Sequence, residues 1–277
     1  MNREDARSRL INKMGCKVES KQILAGSVNT TYLSAGTGTP LILLHGAGAG
    51  AVTWYPSFSS LSKRFWVIAP DIVGYGESEK PDAAYDRPYF ANWLKDFLSA
   101  LSISRAHVVG LSQGGAIALQ FVLENPGAVD KLVLVDSGGL GAQPSLPSFF
   151  GMLWLNSFPS ALANRFYARY ILHRPENRDP CHASYSLAVI KGKGGKKAFR
   201  QGRGAAVSAI SEVSLRQMSN EMLLVWGEDD QLFPIVHGER AADIIPNARI
   251  VRLKEAGHLP LMDQPEKFNQ ALMDFLE

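Results

Sequence analysis

The chain has 277 residues, of which 46% are hydrophobic and 20% charged, a composition that excludes a disordered or fibrous protein. Its length is sufficient to bury one large core, or a core with a small accessory domain. The net charge of +3 and the pI near 8.8 are mild, and most Lys and Arg residues alternate with Asp and Glu, which argues against nucleic-acid binding.

The start of the chain mixes acidic and basic side chains and lacks the apolar run that a secretory signal needs. The most apolar stretch, residues 149–172, is interrupted by Asn156 and Pro159, so no membrane span is predicted. Cys16 and Cys181 form no metal-binding or redox motif and are interpreted as ordinary thiols. We therefore expect a cytoplasmic protein.

Along the chain, short apolar runs alternate with longer helical stretches. Segments near Cys16–Leu24 and Val28–Ser34 alternate more strictly and predict an antiparallel hairpin at the edge of a sheet. Helices are predicted over Tyr89–Leu101 and Ala116–Glu124. The apolar runs typical of strands buried on both faces are Leu41–His45, Phe65–Ala69, His107–Gly110, Leu132–Asp136, Leu223–Trp226 and Ile250–Leu253. This order predicts a mostly parallel α/β sheet flanked by helices.

One long segment, residues 138–215, interrupts this alternation. It has no evident strand, and it leads from a Gly/Pro-rich entry through an apolar stretch into the basic, Gly-rich run 191–203. A structureless loop of this length is rare in a compact domain, so the segment is predicted to be an inserted helical subdomain. Residues 1–137 and 216–277 would then form the core.

The central motif is Gly110-Leu-Ser112-Gln-Gly114, a GxSxG pattern. The pattern alone is weak, but here it directly follows a predicted strand and precedes a predicted helix. A tight turn between strand and helix would lift the Ser112 hydroxyl clear of the sheet, and the glycines remove side chains that would clash. Ser112 is therefore the candidate nucleophile.

A serine hydroxyl needs a base, and the base needs an acid to orient it. His258 lies in a loop between the last predicted strand and the last helix, where open α/β sheets assemble their sites, so it is the candidate base. The acid is expected after the preceding strand, in the order Ser, acid, His. Asp230 is the first choice, with Asp136 and Asp229 as alternatives.

The glycine-rich stretch HGAGAG, residues 45–50, follows the first buried strand. Its small residues would let a substrate carbonyl approach the main chain, and the amides of Ala47 and Gln113 are the expected oxyanion donors. A phosphate-binding loop is disfavoured, because no Lys-Ser/Thr pair follows and no acidic residue ends the next strand.

Together with DIVGYGESEKP (71–81), WGEDDQLFP (226–234) and AGHLPLMDQPEKF (256–268), these motifs resemble the α/β-hydrolase family over nearly the whole chain after about residue 25. The resemblance implies an eight-stranded sheet and assigns the triad roles to Ser112, Asp230 and His258. It also implies that residues 138–215 form a helical cap that shapes substrate choice.

Since the nucleophile position holds serine, the dehalogenases and epoxide hydrolases of this fold, which use aspartate, are disfavoured. The expected chemistry is acyl transfer on Ser112, which requires no metal or organic cofactor. We predict a small-molecule ester with an uncharged, largely apolar acyl group, contacted by Gly46, Leu111, Trp154 and Leu259. An alternative is that a cap cation such as Arg200 binds a substrate carboxylate.

Two further functions remain open. Stretches 45–54 and 135–141 are similar to those of carbon–carbon bond hydrolases acting on aromatic ring-cleavage products. That subfamily commonly has Asn and Trp where this chain has Leu111 and Leu259, so ester hydrolysis is the first prediction and carbon–carbon cleavage the second. A ligand receptor without turnover, from a different functional class, is the third. The sequence indicates no oligomeric state.

Overall fold

The computed structural model describes residues 1–141 and 143–277. Within these residues the chain forms eight strands, β1 (Glu19–Ala25), β2 (Val28–Ala35), β3 (Thr39–Leu44), β4 (Phe65–Pro70), β5 (Ala106–Leu111), β6 (Val129–Val135), β7 (Glu221–Gly227) and β8 (Ala248–Leu253).

The α-helices of the same described residues are α1 (Arg3–Asn12), α2 (Phe58–Leu61), α3 (Arg87–Ala100), α4 (Gln113–Glu124), α5 (Leu146–Ser157), α6 (Ala161–Ile171), α7 (Pro180–Lys191), α8 (Gly195–Val207), α9 (Glu212–Arg216), α10 (Val236–Ile244), α11 (Pro260–Asp263) and α12 (Pro265–Leu276). Short 3₁₀ turns occur at Ala51–Trp54, Pro126–Ala128 and Pro175–Asn177.

All eight strands form one sheet in the order β1-β2-β4-β3-β5-β6-β7-β8. Strand β2 runs antiparallel to both of its neighbours, and the pairs from β4 through β3 to β8 are parallel. The predicted fold class, a mostly parallel eight-stranded sheet flanked by helices, is therefore confirmed. The hairpin of β1 and β2 begins at Glu19, three residues later than the sequence pattern indicated.

The central strands have unbroken apolar sequences, which suits strands that are covered by helices on both faces of the sheet. Every residue of β5 is buried, as are the last four residues of both β3 and β6. Helices α3 and α4 pack together, with α4 against β5, while α12 packs against β7, β8 and α2. Because parallel strands end at the same edge, the loops after β3, β5, β6, β7 and β8 meet there.

Five helices, α5 to α9, lie between β6 and β7, and no strand occurs among the described residues of that stretch. Helix α8 is attached to the core by two hydrogen bonds. The Tyr75 hydroxyl donates to the Ala198 carbonyl at 3.0 Å, and Gln113 Nε2 donates to the Gly202 carbonyl at 2.6 Å. We call residues 138–215 the helical insertion; its status as a separate domain stays a prediction.

The N-terminal helix α1 packs against α7 of the insertion. Lys13, which follows α1, forms an ion pair with the Asp179 carboxylate. The other oxygen of Asp179 accepts hydrogen bonds from the backbone amides of Cys181 at 2.7 Å and His182 at 3.2 Å, which are unpaired donors of the first turn of α7. Asp179 thus starts α7 and ties it to the beginning of the chain.

None of the helices in the described part of the chain is both long and apolar enough to cross a membrane.

The two contacts of Asp179 can be separated by substitution. Asp179→Asn keeps an oxygen that caps α7 but loses the charge opposite Lys13, whereas Asp179→Ala loses both. We expect the alanine variant to lower the free energy of unfolding by about 1 to 2 kcal/mol, and the asparagine variant by less than half of that. Urea titration measures both values. Equal losses in the two variants would contradict the capping role.

Candidate active site

Ser112 occupies a strained turn between β5 and α4. Its φ of 54° and ψ of −117° lie where side chains are rarely tolerated. The turn is held by two backbone hydrogen bonds: the Ser112 amide donates to the Val135 carbonyl at 2.9 Å, and the Gly138 amide donates to the Ser112 carbonyl at 2.9 Å. The end of β6 and the loop that follows it therefore fix the backbone on which the Ser112 hydroxyl is carried.

The glycines on either side of Ser112 permit a close approach of α4 to the sheet. A Cβ atom on Gly110 would lie 2.5 Å from the Gly114 carbonyl oxygen, and one on Gly114 would lie 2.3 Å from the Leu44 carbonyl oxygen. Both distances are far below contact, so any larger residue would move the helix away from the strands. The glycines of the motif are thus required by packing around the turn.

His258 and Asp230 form a buried pair. The His258 Nδ1 donates to Asp230 Oδ2 at 2.8 Å, and both residues are 4% exposed. Asp230 Oδ1 accepts from the amides of Leu232 at 2.7 Å and Phe233 at 2.9 Å, and the Phe233 ring packs edge-on against the imidazole at 5.1 Å. With the proton on Nδ1, the His258 Nε2 is left as an acceptor.

The two alternative acids occupy other positions. Asp229, which is exposed, pairs with His173 Nδ1 at 2.8 Å. Asp136 is completely buried behind Asp230, with its Oδ1 accepting from the Gly227 amide at 3.0 Å and its Oδ2 without a hydrogen-bond partner. Burial and the neighbouring Asp230 carboxylate raise the pKa of Asp136 well above its ordinary value. A proton on Asp136 can therefore be donated towards Asp230.

Asp136, Asp230 and His258 have donor atoms within 4.8 Å of one another, the one such group of potential metal ligands in the described residues. The Asp230 oxygens already accept three hydrogen bonds, two from backbone amides and one from His258. A cation would have to displace the imidazole proton that orients His258. The donor set therefore fits a carboxylate–imidazole pair supported by a second carboxyl group better than a metal centre.

The loop after β3 approaches Ser112 closely. A Cβ atom on Gly46 would lie 3.3 Å from the Ser112 Cβ atom and 3.8 Å from its Oγ. His45 holds this loop, since its Nδ1 donates to the Gly46 carbonyl at 2.7 Å and its Nε2 accepts from the Ile72 amide at 3.0 Å. Burial lowers the pKa of His45 to about 4, so the ring is neutral at pH 7 as this bonding requires.

The amides of Ala47 and Gln113 have no hydrogen-bond acceptor among the described residues. The Gln113 amide is at the first position of α4, where a helix leaves its donors unpaired. Ala47 lines the same cavity as Ser112. The two amides therefore have no acceptor that would compete with a negatively charged oxygen beside Ser112, and their role as oxyanion donors stays a prediction.

Ser112 and His258 line a cavity of about 130 Å³ between the strand ends and the helical insertion. Its wall is mostly apolar. The polar and charged side chains contributed by the insertion are Asn164, Tyr167, Arg178, His182, Ser186 and Arg203. None of the residues lining this cavity in the described chain is an aspartate or glutamate. The cavity therefore favours an apolar group, with cationic side chains at the insertion side.

The structure places three of the four predicted substrate contacts on the cavity wall: Gly46, Leu111 and Leu259. Trp154 lies elsewhere, on the outer face of α5, where it is 37% exposed and packs against Phe166 with ring centroids 5.4 Å apart. The expectation for Trp154 is thus not supported, because α5 turns Met152 and Leu155 inwards instead.

The basic run also places a different cation in the cavity. Arg200 is exposed and is not part of the wall, whereas Arg203, one turn further along α8, lines it. The Nη1 atom of Arg203 is buried without a hydrogen-bond partner. Since such a donor costs free energy when it is left unpaired, a bound anion is the kind of ligand that would satisfy it.

His182 is a cavity residue that the motifs in the sequence do not identify, since it lies on the wall formed by the insertion. Its Nε2 lies 3.2 Å from Thr53 Oγ1, and burial lowers its pKa to about 4, which favours the neutral ring. A signal was present in the sequence, because His182, Ser186 and Ile190 follow the spacing of one helix face and all three line the cavity. The same holds for Phe199 and Arg203 on α8.

Comparison with known proteins identifies a family and several relatives. Residues 39–265 match a family model described as alpha/beta hydrolase fold. A 2-hydroxymuconate semialdehyde hydrolase from Pseudomonas sp. strain CF600 is 30% identical over 272 residues, which cover 92% of this chain and 93% of that protein. The meta-cleavage product hydrolase CumD from Pseudomonas fluorescens is similar in structure, with a TM-score of 0.84 and 27% identity over 92% of this chain and 97% of that one.

The carboxylesterase YbfK from Bacillus subtilis is 27% identical over 240 residues, which cover 85% of this chain and 79% of that protein. Its crystal structure matches with a TM-score of 0.90 and 24% identity over 99% of this chain and 96% of that one. Similarity at these levels extends to proteins named for two different reactions.

Replacing Asp136 with Asn is expected to change how stability depends on pH. The folded state keeps a proton on Asp136 that the unfolded chain releases above the ordinary pKa of 3.8, so this group lowers stability as pH rises above that value. Asn cannot ionise, and it tolerates the positive φ of 40° at this position. The free energy of unfolding of the variant, relative to the parent, should therefore increase as the pH rises above 3.8, by about 1.4 kcal/mol per unit of difference between the folded and unfolded pKa of Asp136.

Urea titrations at several pH values measure this difference. Asp243→Asn, which changes an exposed carboxylate on α10, is the matched control for the loss of one carboxylate. A difference between Asp136→Asn and the parent that is constant with pH would show that Asp136 is ionised in both the folded and the unfolded state.

Proposed function

The chain belongs to the alpha/beta hydrolase fold family, and from that premise we propose that it hydrolyses carboxylic esters of small, largely apolar substrates through an acyl-enzyme on Ser112. One observation carries the proposal: the cavity brings together a serine on a strained turn, a buried histidine paired with a carboxylate, and two unpaired backbone amides. These are the parts that acyl transfer needs.

In the proposed mechanism, Ser112 Oγ attacks the ester carbonyl carbon and its proton passes to His258 Nε2. Asp230 keeps the proton of the ring on Nδ1 and stabilises the imidazolium. The amides of Ala47 and Gln113 donate to the carbonyl oxygen as it becomes negative. The imidazolium then protonates the departing alkoxide, and water, activated by the same histidine, releases the acid from Ser112.

The residues next to the nucleophile and the base support an ester rather than a dienoate. Leu111 precedes Ser112 and Leu259 follows His258, and both line the cavity with apolar side chains. Neither can donate a hydrogen bond to a dienolate, which carbon–carbon cleavage has to ketonise and hold. An ester carbonyl requires no donors beyond those for the oxyanion.

With p-nitrophenyl butyrate, we expect a burst of p-nitrophenol close to one equivalent of enzyme, followed by slower turnover limited by release of the acid. Ser112→Ala should abolish the burst and lower kcat by on the order of 10⁴-fold or more. Stopped-flow absorbance measures both quantities. Ser57→Ala, which removes another buried hydroxyl outside the cavity, is the matched control and should leave both unchanged.

Turnover that survives in Ser112→Ala would contradict the assignment of the nucleophile. The absence of turnover with esters of every acyl length, combined with tight binding of a ligand in the cavity, would instead favour a receptor. Esters of increasing chain length should therefore be compared, with binding followed by calorimetry.

Carbon–carbon hydrolysis is the second candidate, and one observation favours it. Arg178 and Arg203 line the mostly apolar cavity, and no carboxylate is among its lining residues in the described chain. An acidic dienoate would place its carboxylate there. The relatives named for 2-hydroxymuconate semialdehyde and meta-cleavage products give this candidate support of the same kind that YbfK gives the first.

Substitution of two arginines on α8 tests whether the cavity binds the carboxylate of a substrate. Arg203→Ala should raise KM about tenfold or more for p-nitrophenyl hydrogen glutarate, which carries a free carboxylate, and leave KM for the neutral butyrate within about twofold. Arg200→Ala, one position along α8 from the cavity-lining Phe199, should change neither value. Identical effects of Arg203→Ala on both esters would mean that the guanidinium does not bind a substrate anion.

The parent enzyme should then be given a yellow ring-cleavage dienoate. Bleaching with a kcat/KM well above that for the best p-nitrophenyl ester would replace ester hydrolysis by carbon–carbon hydrolysis as the function. Slow or absent bleaching leaves ester hydrolysis as the activity.

A further inference from the structure

Helix α5 is apolar on two opposite faces. Its inner face places Met152 and Leu155 in the cavity wall. Its outer face exposes Phe150, which is 59% accessible, and Trp154. Most of the large apolar side chains that are exposed in the described residues lie on or beside this outer face. We call this group the outer patch; its members are Leu146, Phe149, Phe150, Leu153, Trp154, Phe158 and Leu162. Apolar clusters of this kind are uncommon on an isolated soluble surface and indicate a binding partner.

The charge of the helical insertion is opposite to that of the rest of the chain. Residues 138–215 contain ten Lys and Arg residues and three acidic ones, a net charge of +7. The remaining residues contain nineteen basic and twenty-three acidic ones, a net charge of −4. The net charge of the whole chain is small because the basic insertion and the acidic remainder partly cancel. The outer patch lies on the basic insertion.

Cations border the outer patch directly. Arg165 and Arg169 are exposed on α6 and share a helix face with Leu162, at spacings of three and seven residues. Lys196 Nζ lies 3.2 Å from the Ser157 carbonyl at the end of α5, beside the exposed Phe158. From residue 138 to residue 175 the sequence contains no acidic residue at all. The patch therefore combines exposed apolar rings with positive charge.

We propose that the outer patch docks on the surface of an anionic phospholipid bilayer, with α5 and α6 lying in the headgroup region. Aromatic and leucine side chains enter the boundary between headgroups and acyl chains, while Arg165, Arg169 and Lys196 attract the anionic headgroups. This mode of binding is peripheral and needs no spanning helix.

Charge favours a bilayer over a second copy of this chain as the occupant. A symmetric dimer formed through the outer patch would place two insertions of net charge +7 against each other. An anionic membrane offers the opposite charge together with an apolar phase. The inference concerns binding alone and does not depend on which bond the active site cleaves.

Co-sedimentation with sucrose-loaded vesicles tests the proposal on the full chain. We expect the protein to sediment with vesicles of equimolar phosphatidylglycerol and phosphatidylcholine, to bind phosphatidylcholine vesicles at least about tenfold more weakly, and to be released as salt is increased. Phe150→Asp should weaken binding to the anionic vesicles by about tenfold or more, since it removes an apolar ring and adds a negative charge.

Val236→Asp is the matched control, because Val236 is 57% exposed and lies on α10, outside the insertion. This variant should bind the anionic vesicles as the parent does. Circular dichroism and turnover of a soluble ester confirm that both variants are folded, since neither position lines the cavity. Equal binding to the two kinds of vesicle, or no sedimentation with either, overturns the proposal. A dimer in light scattering that Phe150→Asp dissociates, without vesicle binding, overturns it in favour of a second copy.

Discussion

The backbone turn at Ser112 is the constraint on which the rest of the site depends. A serine with positive φ is stable only where its surroundings hold it, and here the two hydrogen bonds that do so come from Val135 at the end of β6 and from Gly138 in the loop that follows. The same segment after β6 continues into Asp136, whose carboxyl group accepts from the Gly227 amide at the end of β7. Gly227 leads directly into the turn that carries Asp230. One continuous set of contacts across three strand ends therefore positions both the serine and the carboxylate beside His258.

Much of this arrangement could be predicted from sequence because it is set by local patterns. The buried strands can be recognised in the sequence as unbroken apolar runs. Ser112, Asp230 and His258 can be located because each follows a strand of a parallel sheet, at the edge where such sheets assemble their sites. The choice of Asp230 over Asp136 and Asp229 was harder, since all three follow strands β6 or β7 closely. The structure separates them by direction: Asp230 faces the ring of His258, Asp136 is buried behind it, and Asp229 turns outwards to His173.

The wall formed by the helical insertion could be predicted much less well. On a helix, neighbouring residues point about 100° apart, so an error of one position exchanges an inward side chain for an outward one. Trp154 and Leu155 are such a pair, with Leu155 in the wall and Trp154 on the outer face. The rotation of α8 is fixed by Tyr75 and Gln113, which lie far away in sequence, and a pattern within the helix contains no information about these partners.

The ion pair between Lys13 and Asp179 connects the wall of the cavity to a part of the chain that lies before the residues matched by the family model. The matched region begins at residue 39, whereas α1 ends at Asn12 and holds the first turn of α7 through Asp179. That turn contains His182, a wall residue. The helix before β1 is therefore part of the scaffold that supports one wall of the cavity, although it lies far from Ser112 in the sequence.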